Sequence, residues 1–415
     1  MRTPFQSPAG LRPSLILAIL QSLCTVSYAV AQPAVTFVAC DDICQTRAAF
    51  SANESTVFAF TPWSILQFDS RTGTHLKTLD VRFEPYPNLI AVSGGSQRGF
   101  INDGLRIIDI VTGETQATLH AETFNRIDGA VFSPGDGRYL LTSSGVGIRL
   151  WDADSGAAIR TYISGTPTAA SRYSVAFSHA GDHIIGGSIP PGLSGPPYYN
   201  TFYIWERDSG QLIRSVQWQT DGYEDFGGSL TIDMSPDGAH ILTAVGWVAG
   251  NGLIGPLGEV RIWNIETGES VRLLEGALPA AKFSPDGRWI VSASDHDRGH
   301  HSAVIWETAT GRLVRAMGRT DTSVGSGMTS SAAFSKDGTT VLVGQLNASE
   351  LWDIRDIATK LRMSSGTNGA EIHWDLGILQ FATSPSGPWT DLPAASPLQL
   401  STVGERGFFR VKLEP

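Results

Sequence analysis

Residues 280–317 of the chain read AAKFSPDGRWIVSASDHDRGHHSAVIWETATGRLVRAM. The motif Ser284-Pro285-Asp286-Gly287 has turn chemistry: proline fixes φ at the second turn position, aspartate caps the turn through its side chain, and glycine accepts a positive φ. Apolar runs flank this turn, and a second turn at Thr310-Gly311 follows the apolar run that contains Trp306. The segment therefore predicts four antiparallel strands, at Ala280–Phe283, Trp289–Ser294, Ala303–Trp306 and Leu313–Met317.

The same arrangement recurs along the chain. An apolar residue, an aromatic residue or isoleucine, and a polar residue precede a short spacer and, in all copies but the last, a glycine. Successive copies are 40 to 58 residues apart, which is typical of propeller blades that bury their sheets by packing around an axis. The copies centre on Phe68 and Ile108 and then on five tryptophans, which we interpret as structural residues of the repeat: Trp151, Trp205, Trp263, Trp306 and Trp352.

The repeats resemble WD40 repeats in the looser form found in bacterial secreted proteins, and the resemblance covers residues 34–356. It implies an all-β fold with a seven-bladed WD40-like β-propeller over residues 32–356, each blade having strands A to D. The Gly-His pair that the family places before strand A is absent, and an aspartate in the B–C turn is present only as Asp295. We therefore do not expect the complete His–Ser–Asp–Trp hydrogen-bond network of the family.

Closing the ring requires an outer strand for blade seven. No glycine turn follows Asp353 to introduce such a strand. Lys360–Met363 could supply it, although that segment also suits the start of the next domain. Val35–Val38 precedes blade one and has no other place in the repeat, so we predict that it forms the outer strand of blade seven.

Residues 1–31 have the features of a signal peptide. Arg2 and Arg12 accompany an apolar run, and Ala29-Val30-Ala31 has the small-x-small pattern of a cleavage site. A buried apolar helix, a membrane anchor and a lipoprotein are the alternatives. We favour cleavage after Ala31, because polar residues interrupt the run and it is shorter than the roughly 18–20 apolar residues of an anchor. The expected location is secreted, periplasmic or at the cell surface.

Removing residues 1–31 would take away two arginines and no acidic residue, which changes the net charge from −10 to −12. Such a chain is not expected to bind nucleic acid or an anionic membrane surface, since both depend on Lys and Arg. No later segment is apolar enough to span a bilayer, and we expect a monomer. Cys40 and Cys44 would either form a local disulfide in an oxidising compartment or stay as two unpaired thiols.

The repeat stops near Ile357, and residues 357–415 are expected to form a small C-terminal β domain. Five or six short strands, with a turn at Ser384–Trp389, suggest a small β-sandwich. The predicted strands include Ala370–Leu376, Ile378–Thr383, Leu398–Thr402 and Phe408–Leu413. The segment resembles a module found at the ends of secreted bacterial proteins, which implies either surface attachment or sorting, or a passive stabilising cap.

The sequence has none of the local motifs of serine hydrolases, phosphate-binding loops or zinc proteases. The segment Asp295–His301 contains three His and two Asp, which could ligate a transition metal or could form a solvated polar loop. We favour the loop, because neighbouring loop residues seldom converge on one ion without further ligands. We therefore predict no catalytic residue, no metal and no cofactor.

Blades four, five and six carry insertions between the turn glycine and the tryptophan. This interval is 19 to 25 residues in those blades and 14 residues in blades three and seven. We place the extra length in the B–C loops, which emerge on one face together with the D–A connections. Insertions confined to one face often mark a binding surface, although a tolerated insertion is the alternative. The candidate binding residues are Tyr198, Tyr199, Trp247, His296, His300 and His301.

Two functions of different classes fit this sequence. The first, which we favour, is a secreted or periplasmic interaction scaffold that binds a protein or carbohydrate partner through this face. The second is a propeller enzyme, such as a lactonase-like hydrolase or a quinoprotein-like oxidoreductase, with single residues from several blades at the central channel. Charged residues from three or more blades at the channel mouth would favour the second. A structural component of the cell surface is a third candidate.

Overall fold

A computed structural model gives the fold of the chain. The chain divides between Ala31 and Gln32, and every residue that the structure describes belongs to the unit Gln32–Pro415. The described residues are 34–38, 47–51, 53–61, 64–80, 89–93, 97–101, 103–120, 127–144, 147–162, 172–189, 198–220, 229–246, 259–274, 280–293, 303–317, 331–344, 348–358, 362–366, 369–373, 378–382, 388, 390–392, 398–400 and 408–412.

Seven four-stranded antiparallel sheets form a seven-bladed β-propeller. A single strand, β1 (Val35–Val38), comes first. Blade one contains β2 (Arg47–Phe50), β3 (Thr56–Phe60), β4 (Ser64–Asp69) and β5 (His75–Asp80). Blade two contains β6 (Leu89–Val92), β7 (Arg98–Ile101), β8 (Arg106–Asp109) and β9 (Thr115–Thr118), with a 3-10 turn at Asp103–Leu105. Blade three contains β10 (Gly129–Phe132), β11 (Tyr139–Ser144), β12 (Gly147–Asp152) and β13 (Ala158–Tyr162).

The remaining blades repeat this order. Blade four contains β14 (Arg172–Phe177), β15 (His183–Ile189), β16 (Tyr198–Glu206) and β17 (Leu212–Thr220). Blade five contains β18 (Ser229–Met234), β19 (His240–Gly246), β20 (Glu259–Asn264) and β21 (Ser270–Leu274). Blade six contains β22 (Ala280–Phe283), β23 (Trp289–Ala293), β24 (Ala303–Glu307) and β25 (Leu313–Met317). Blade seven contains β26 (Ser331–Phe334), β27 (Thr340–Gly344) and β28 (Ala348–Asp353), and the A strands of neighbouring blades contact one another around the centre.

The ring is closed by the N-terminal strand. β1 pairs antiparallel with β28, with Val35 opposite Leu351 and Val38 opposite Ala348. This confirms the predicted outer strand of blade seven. Arg362 and Met363 of the alternative segment lie instead in β29 (Arg362–Gly366), which pairs with β30 (Gly369–His373).

Buried tryptophans occupy the repeat position in five of the seven blades, and three of them bond to a hydroxyl of strand B. The indole N–H groups of Trp151, Trp263 and Trp306 donate to Thr142, Thr243 and Ser292 at 2.8–2.9 Å. Each hydroxyl lies two residues after the strand-B residue that faces the tryptophan. A buried N–H needs an acceptor, so the repeat supplies one from the adjacent strand.

In blades one and two, where another residue replaces the tryptophan, the strand-B residue at this position differs as well. Blade one has Phe68 with Ala59 at this position, and blade two has Ile108 with Ile101. Neither pair contains a donor or an acceptor, so no buried polar group is left unpaired. The first two copies therefore keep the packing role of the repeat with apolar residues.

Basic side chains of the D strands join neighbouring blades. In five blades the fourth residue after the turn glycine is Lys or Arg, and it donates to a backbone carbonyl at the C–D turn of the next blade. The pairs are Lys77 with Val111, Arg160 with Asp208, Arg214 with Glu266, Arg272 with Thr310 and Arg315 with Asp353, at 2.6–2.9 Å. Each of these bonds joins a D strand to the C–D turn of the next blade, so the bonds stabilise the blade interfaces.

We predict that Arg272→Met lowers the free energy of unfolding by about 1 kcal/mol. Methionine keeps an apolar stem against Gly311 but cannot donate to Thr310, so the loss isolates the hydrogen bond. Chemical denaturation measures the change. Arg71→Met is the matched control, because Arg71 is exposed on a C–D turn and its replacement should change stability by less than about 0.5 kcal/mol. Equal effects of the two substitutions would show that the inter-blade bond contributes nothing.

The A–B turns are held by serine and aspartate side chains. Ser178 donates to Asp182 and Ser235 donates to Asp237, and these hydroxyl hydrogen bonds lower the pKa of both carboxyl groups. A lowered folded-state pKa means that this stabilisation is present above about pH 4 and is lost as the pH falls through the lowered value. The turns therefore make the propeller sensitive to strong acid.

After blade seven the chain forms a short helix, α1 (Arg355–Ala358), and two three-stranded sheets. One sheet contains β29, β30 and β33 (Leu398–Leu400), and the other contains β31 (Ile378–Ala382), β32 (Thr390–Asp391) and β34 (Phe408–Lys412). Ile372, Leu379 and Ala382 are buried. Of the helices in the described ranges, none is long and apolar enough to cross a membrane.

Candidate functional site

The candidate binding residues fall into two groups in the structure. Tyr198 and Tyr199 begin β16. The other four candidates lie outside the described residues: Trp247, His296, His300 and His301. Asp295 and the two cysteines of the proposed disulfide, Cys40 and Cys44, also lie outside them. The interpretation of Tyr198 and Tyr199 as loop residues is wrong, because they face Thr220 and Gln219 of β17. An equally long partner strand supplies the backbone hydrogen bonds that extend β16 to Tyr198.

Blade four has the longest C–D hairpin of the described blades. β16 and β17 have nine residues each, whereas the other C and D strands have four to six. β16 starts at Tyr198, seven residues before Trp205, whereas β12 starts at Gly147, four residues before Trp151. The hairpin therefore extends about 10 Å further at roughly 3.3 Å per residue, on the face that carries the B–C and D–A connections.

The two faces of this hairpin differ in burial. Asn200, Phe202 and Trp218 are buried toward blade five. The opposite face exposes Tyr199, with 45% of its surface accessible, together with Gln217 and Gln219. Because side chains alternate along a strand, the extension offers a flat polar and aromatic surface on a rigid support.

An aromatic cluster fixes the base of the hairpin. The ring of Trp218 lies 6.1 Å from Phe202 and 5.2 Å from Trp263, and Phe202 lies 5.8 Å from Trp263. Such contacts between neighbouring blades hold the hairpin in one orientation. Among the described residues, the buried indole N–H of Trp218 has no hydrogen-bond partner.

A second feature lies at the centre of the ring, on the face of the A–B turns. A cavity of about 250 Å³ is open to solvent there and draws its lining from blades two to seven. Its lining residues are Val92, Ser93, Val131, Phe132, Ser133, Pro134, Gly135, Ala176, Phe177, Asp233, Lys282 and Lys336. We refer to this space as the channel-mouth cavity.

Charged groups from three blades meet in the channel-mouth cavity. Asp233 of blade five accepts a hydrogen bond from the backbone N–H of Phe283 at 2.9 Å, and its other oxygen lies 3.3 Å from the ammonium group of Lys282 in blade six. Lys336 of blade seven also lines the space. Both carboxylate oxygens of Asp233 therefore already have a partner. Asp233 is thus better placed to balance the charge of Lys282 than to transfer a proton.

Sequence reasoning missed this cluster. Asp233 and Lys282 each occupy the next-to-last position of an ordinary strand A, and Lys336 lies in an A–B turn. One signal was present: the position two residues before the turn serine is Ala49, Ala91, Val131, Ala176 or Ala333 in the other five blades. Charge at this position therefore departs from the repeat in the two adjacent blades five and six.

Comparison with known proteins supports the fold. No family model matches the chain. Centriole proteome protein 16 of Chlamydomonas reinhardtii is 40% identical over 72 residues, which cover 16% of this chain and 3% of that protein. The matching segment is thus a small part of a much longer protein.

A solved structure matches most of the chain. The β-propeller domain of Cps50 (Swd1) from Myceliophteria thermophila, a WD40 propeller, superposes with a TM-score of 0.53 at 12% identity. The match covers 76% of this chain and 99% of that domain. The chain therefore has the fold of a seven-bladed β-propeller.

Proposed function

We propose that this chain is an interaction scaffold that binds a protein or carbohydrate partner through the face carrying the B–C and D–A connections of blades four to six. The observation that carries the proposal is the extension of β16 and β17, because β16 begins three residues earlier relative to its tryptophan than β12 does and exposes Tyr199. Trp247, His296, His300 and His301 are proposed to belong to the same face.

The chemistry of the extension suits recognition. Tyrosine presents a large apolar ring with a polar end and loses little conformational entropy on binding, so exposed tyrosines often anchor interfaces. The neighbouring Gln217 and Gln219 can donate and accept hydrogen bonds. The aromatic cluster below them keeps the backbone in place, which lowers the entropic cost of binding.

The test is capture of partners by the full chain and by two variants. We expect Tyr199→Ala to weaken binding by about tenfold, because removing an aromatic anchor typically costs 1–2 kcal/mol or more. Leu76→Ala is the matched control, since Leu76 is also exposed, at 55%, but lies on the D strand of blade one. Partners retained equally by both variants would exclude the hairpin as the binding surface.

The channel-mouth cavity favours a second candidate, a propeller enzyme with a channel site. Asp233, Lys282 and Lys336 come from three blades, as such a site requires. We rank this candidate lower, because Asp233 is committed to Lys282 and to the N–H of Phe283.

We further propose that residues 1–31 are a signal peptide, that residues 32–356 are the propeller of a secreted or periplasmic protein, and that residues 357–415 form a small β-sandwich. The small-x-small pattern Ala29-Val30-Ala31 supports this cleavage site. Intact-mass measurement of the protein recovered outside the cytoplasm should give a chain starting at Gln32. A recovered chain that retains Met1–Ala31 would exclude cleavage.

A further inference from the structure

We propose that one face of the blade-four hairpin recognises a neutral oligosaccharide. We name this surface the tyrosine–glutamine face, and six residues of β16 and β17 form it: Tyr199, Thr201, Tyr203, Ser215, Gln217 and Gln219. The inference rests on the proposed interaction function and names the class of ligand that its hairpin would take.

The pairing of β16 with β17 places the six side chains on one face. The directly opposed pairs are Tyr199 with Gln219, Thr201 with Gln217, and Tyr203 with Ser215. Residues that lie opposite each other in antiparallel strands, and residues two apart along one strand, project from the same side of a sheet. The face is therefore two strands wide and, at roughly 3.3 Å per residue, about 13 Å long from Tyr199 to Tyr203.

The hydrogen-bonding groups of this face are available to a ligand. All six side chains are at least partly exposed, and within the described part of the chain none of them makes a hydrogen bond. Each hydroxyl donates and accepts, and each amide has two donor hydrogens and an acceptor oxygen. The hairpin thus presents a row of unused donors and acceptors that begins and ends at an aromatic ring.

The tyrosine–glutamine face carries no charge, and Tyr203 is the residue that departs from the repeat. Four other blades have a charged residue two positions before the central residue of the motif: Arg106, Arg149, Arg261 and Glu350. In blades three and five the guanidinium lies over the tryptophan ring, at 5.3 and 6.0 Å from its centre. In blade four the ring of Tyr203 stacks on Trp205 instead, with 5.4 Å between the ring centres.

The segments that adjoin the face add few charges, and most of these are negative. The connections 163–171 and 190–197 contain no Asp, Glu, Lys or Arg, whereas residues 221–228, which follow β17, contain three acids: Asp221, Glu224 and Asp225. Arg172 begins β14, which β15 separates from β16. The surroundings therefore disfavour an anionic ligand and give a neutral ligand no electrostatic penalty.

These properties match a sugar better than a charged or an apolar partner. A pyranose ring has an apolar C–H face that stacks on an aromatic ring, and its hydroxyl groups exchange hydrogen bonds with amides and hydroxyls. The centre of a protein interface is usually more apolar than the rest of the surface, but from Tyr199 to Tyr203 this face has no aliphatic side chain. Nucleic acids require Lys or Arg, and the face has neither.

Titration of the full chain with defined oligosaccharides tests the inference. The neutral probes are cellohexaose, maltohexaose, chitohexaose and mannohexaose, and the anionic probe is hexagalacturonate, with binding measured by ligand-detected NMR. We expect at least one neutral probe to bind, and hexagalacturonate to bind at least tenfold more weakly because the adjoining acids repel its carboxylates. If none of the neutral probes binds at millimolar concentration, the inference is wrong.

Four variants locate the binding on the hairpin. Tyr199→Ala should weaken binding of the neutral probe about tenfold by removing the ring, whereas Tyr199→Phe keeps the ring and should weaken binding less than about threefold. Gln219→Ala should weaken it about fivefold through the lost hydrogen bonds. Gln116→Ala is the matched control, because Gln116 is exposed on the D strand of blade two. Unchanged melting temperatures show that the variants are folded, and equal affinities of all four would contradict the site.

Partner capture with wild type and Tyr199→Ala separates failure of this inference from failure of the proposed function. A protein partner that depends on Tyr199, together with no binding of the neutral probes, would overturn the sugar ligand and leave the scaffold function standing. Sugar binding that none of the variants changes, together with capture that does not depend on Tyr199, would overturn both. Support for the inference is sugar binding that falls in Tyr199→Ala and Gln219→Ala and stays unchanged in Gln116→Ala.

Discussion

Replacing Phe37 by alanine is expected to lower the free energy of unfolding by about 4 kcal/mol. Phe37 is fully buried, and its ring lies 5.3 Å from Phe68 at the joint between blades seven and one. Loss of the ring leaves a cavity beside Leu351 and Leu342 that the fixed blades cannot fill. At roughly 2–4 °C per kcal/mol, thermal unfolding should show a melting temperature about 10 °C lower.

Thr36→Ala is the control on the same strand, because Thr36 is exposed and should change stability by less than about 0.5 kcal/mol. Deleting residues 32–38 should destabilise the propeller more than Phe37→Ala, since it also removes the pairing with β28. A synthetic peptide of residues 32–40 should restore part of the loss. If the deletion melts at the same temperature as the full chain, β1 does not close the ring.

Gly156→Ala is expected to destabilise the protein by about 2–5 kcal/mol, since overpacking alone typically costs 1–3 kcal/mol and the left-handed conformation adds 1–2 kcal/mol. Gly156 has φ +70°, and a Cβ atom there would lie 2.2 Å from the backbone oxygen of Thr118 in blade two. Backbone cannot move aside as a flexible side chain can. This contact joins blades two and three, where Ala117 takes the place of the basic residue that bridges five of the other interfaces.

Gly113→Ala separates the free-energy cost of the overpacking from that of the left-handed conformation. Gly113 has φ +81° at the corresponding turn of blade two, but a Cβ atom there would meet nothing within 4 Å. Its replacement should cost only the conformational term of about 1–2 kcal/mol. Urea unfolding of both variants measures the difference, and equal losses would mean that the blades do not approach closely at Gly156.

The blades could be predicted from local chemistry because each turn carries its own signal. For blade six the predicted strands agree with the structure to within one residue at every end, since Pro285, Gly287 and Gly311 mark the turns. Closure of the ring by β1 was also predictable. The repeats left blade seven without an outer strand, and Val35–Val38 was not part of any repeat. These features depend on residues that are close in sequence or on a simple count of strands.

The hairpin of blade four and the channel-mouth cavity could not be derived in this way. The end of β16 depends on pairing with β17, which begins only after the turn, so Tyr199 looked like part of a long loop. Asp233, Lys282 and Lys336 are brought together by the curvature of the ring, which no local pattern encodes. In both cases the missing information was the arrangement of strands in space.

The most direct test of the proposed binding function is photo-crosslinking from position 199. A photoreactive phenylalanine analogue at Tyr199 keeps the size of the side chain and the pairing of β16 with β17. Illumination of the protein in its native setting should give a defined crosslinked partner from position 199 and none from position 76, the exposed residue on blade one. The same products from both positions, or products from position 76 alone, would contradict a binding surface on the blade-four hairpin.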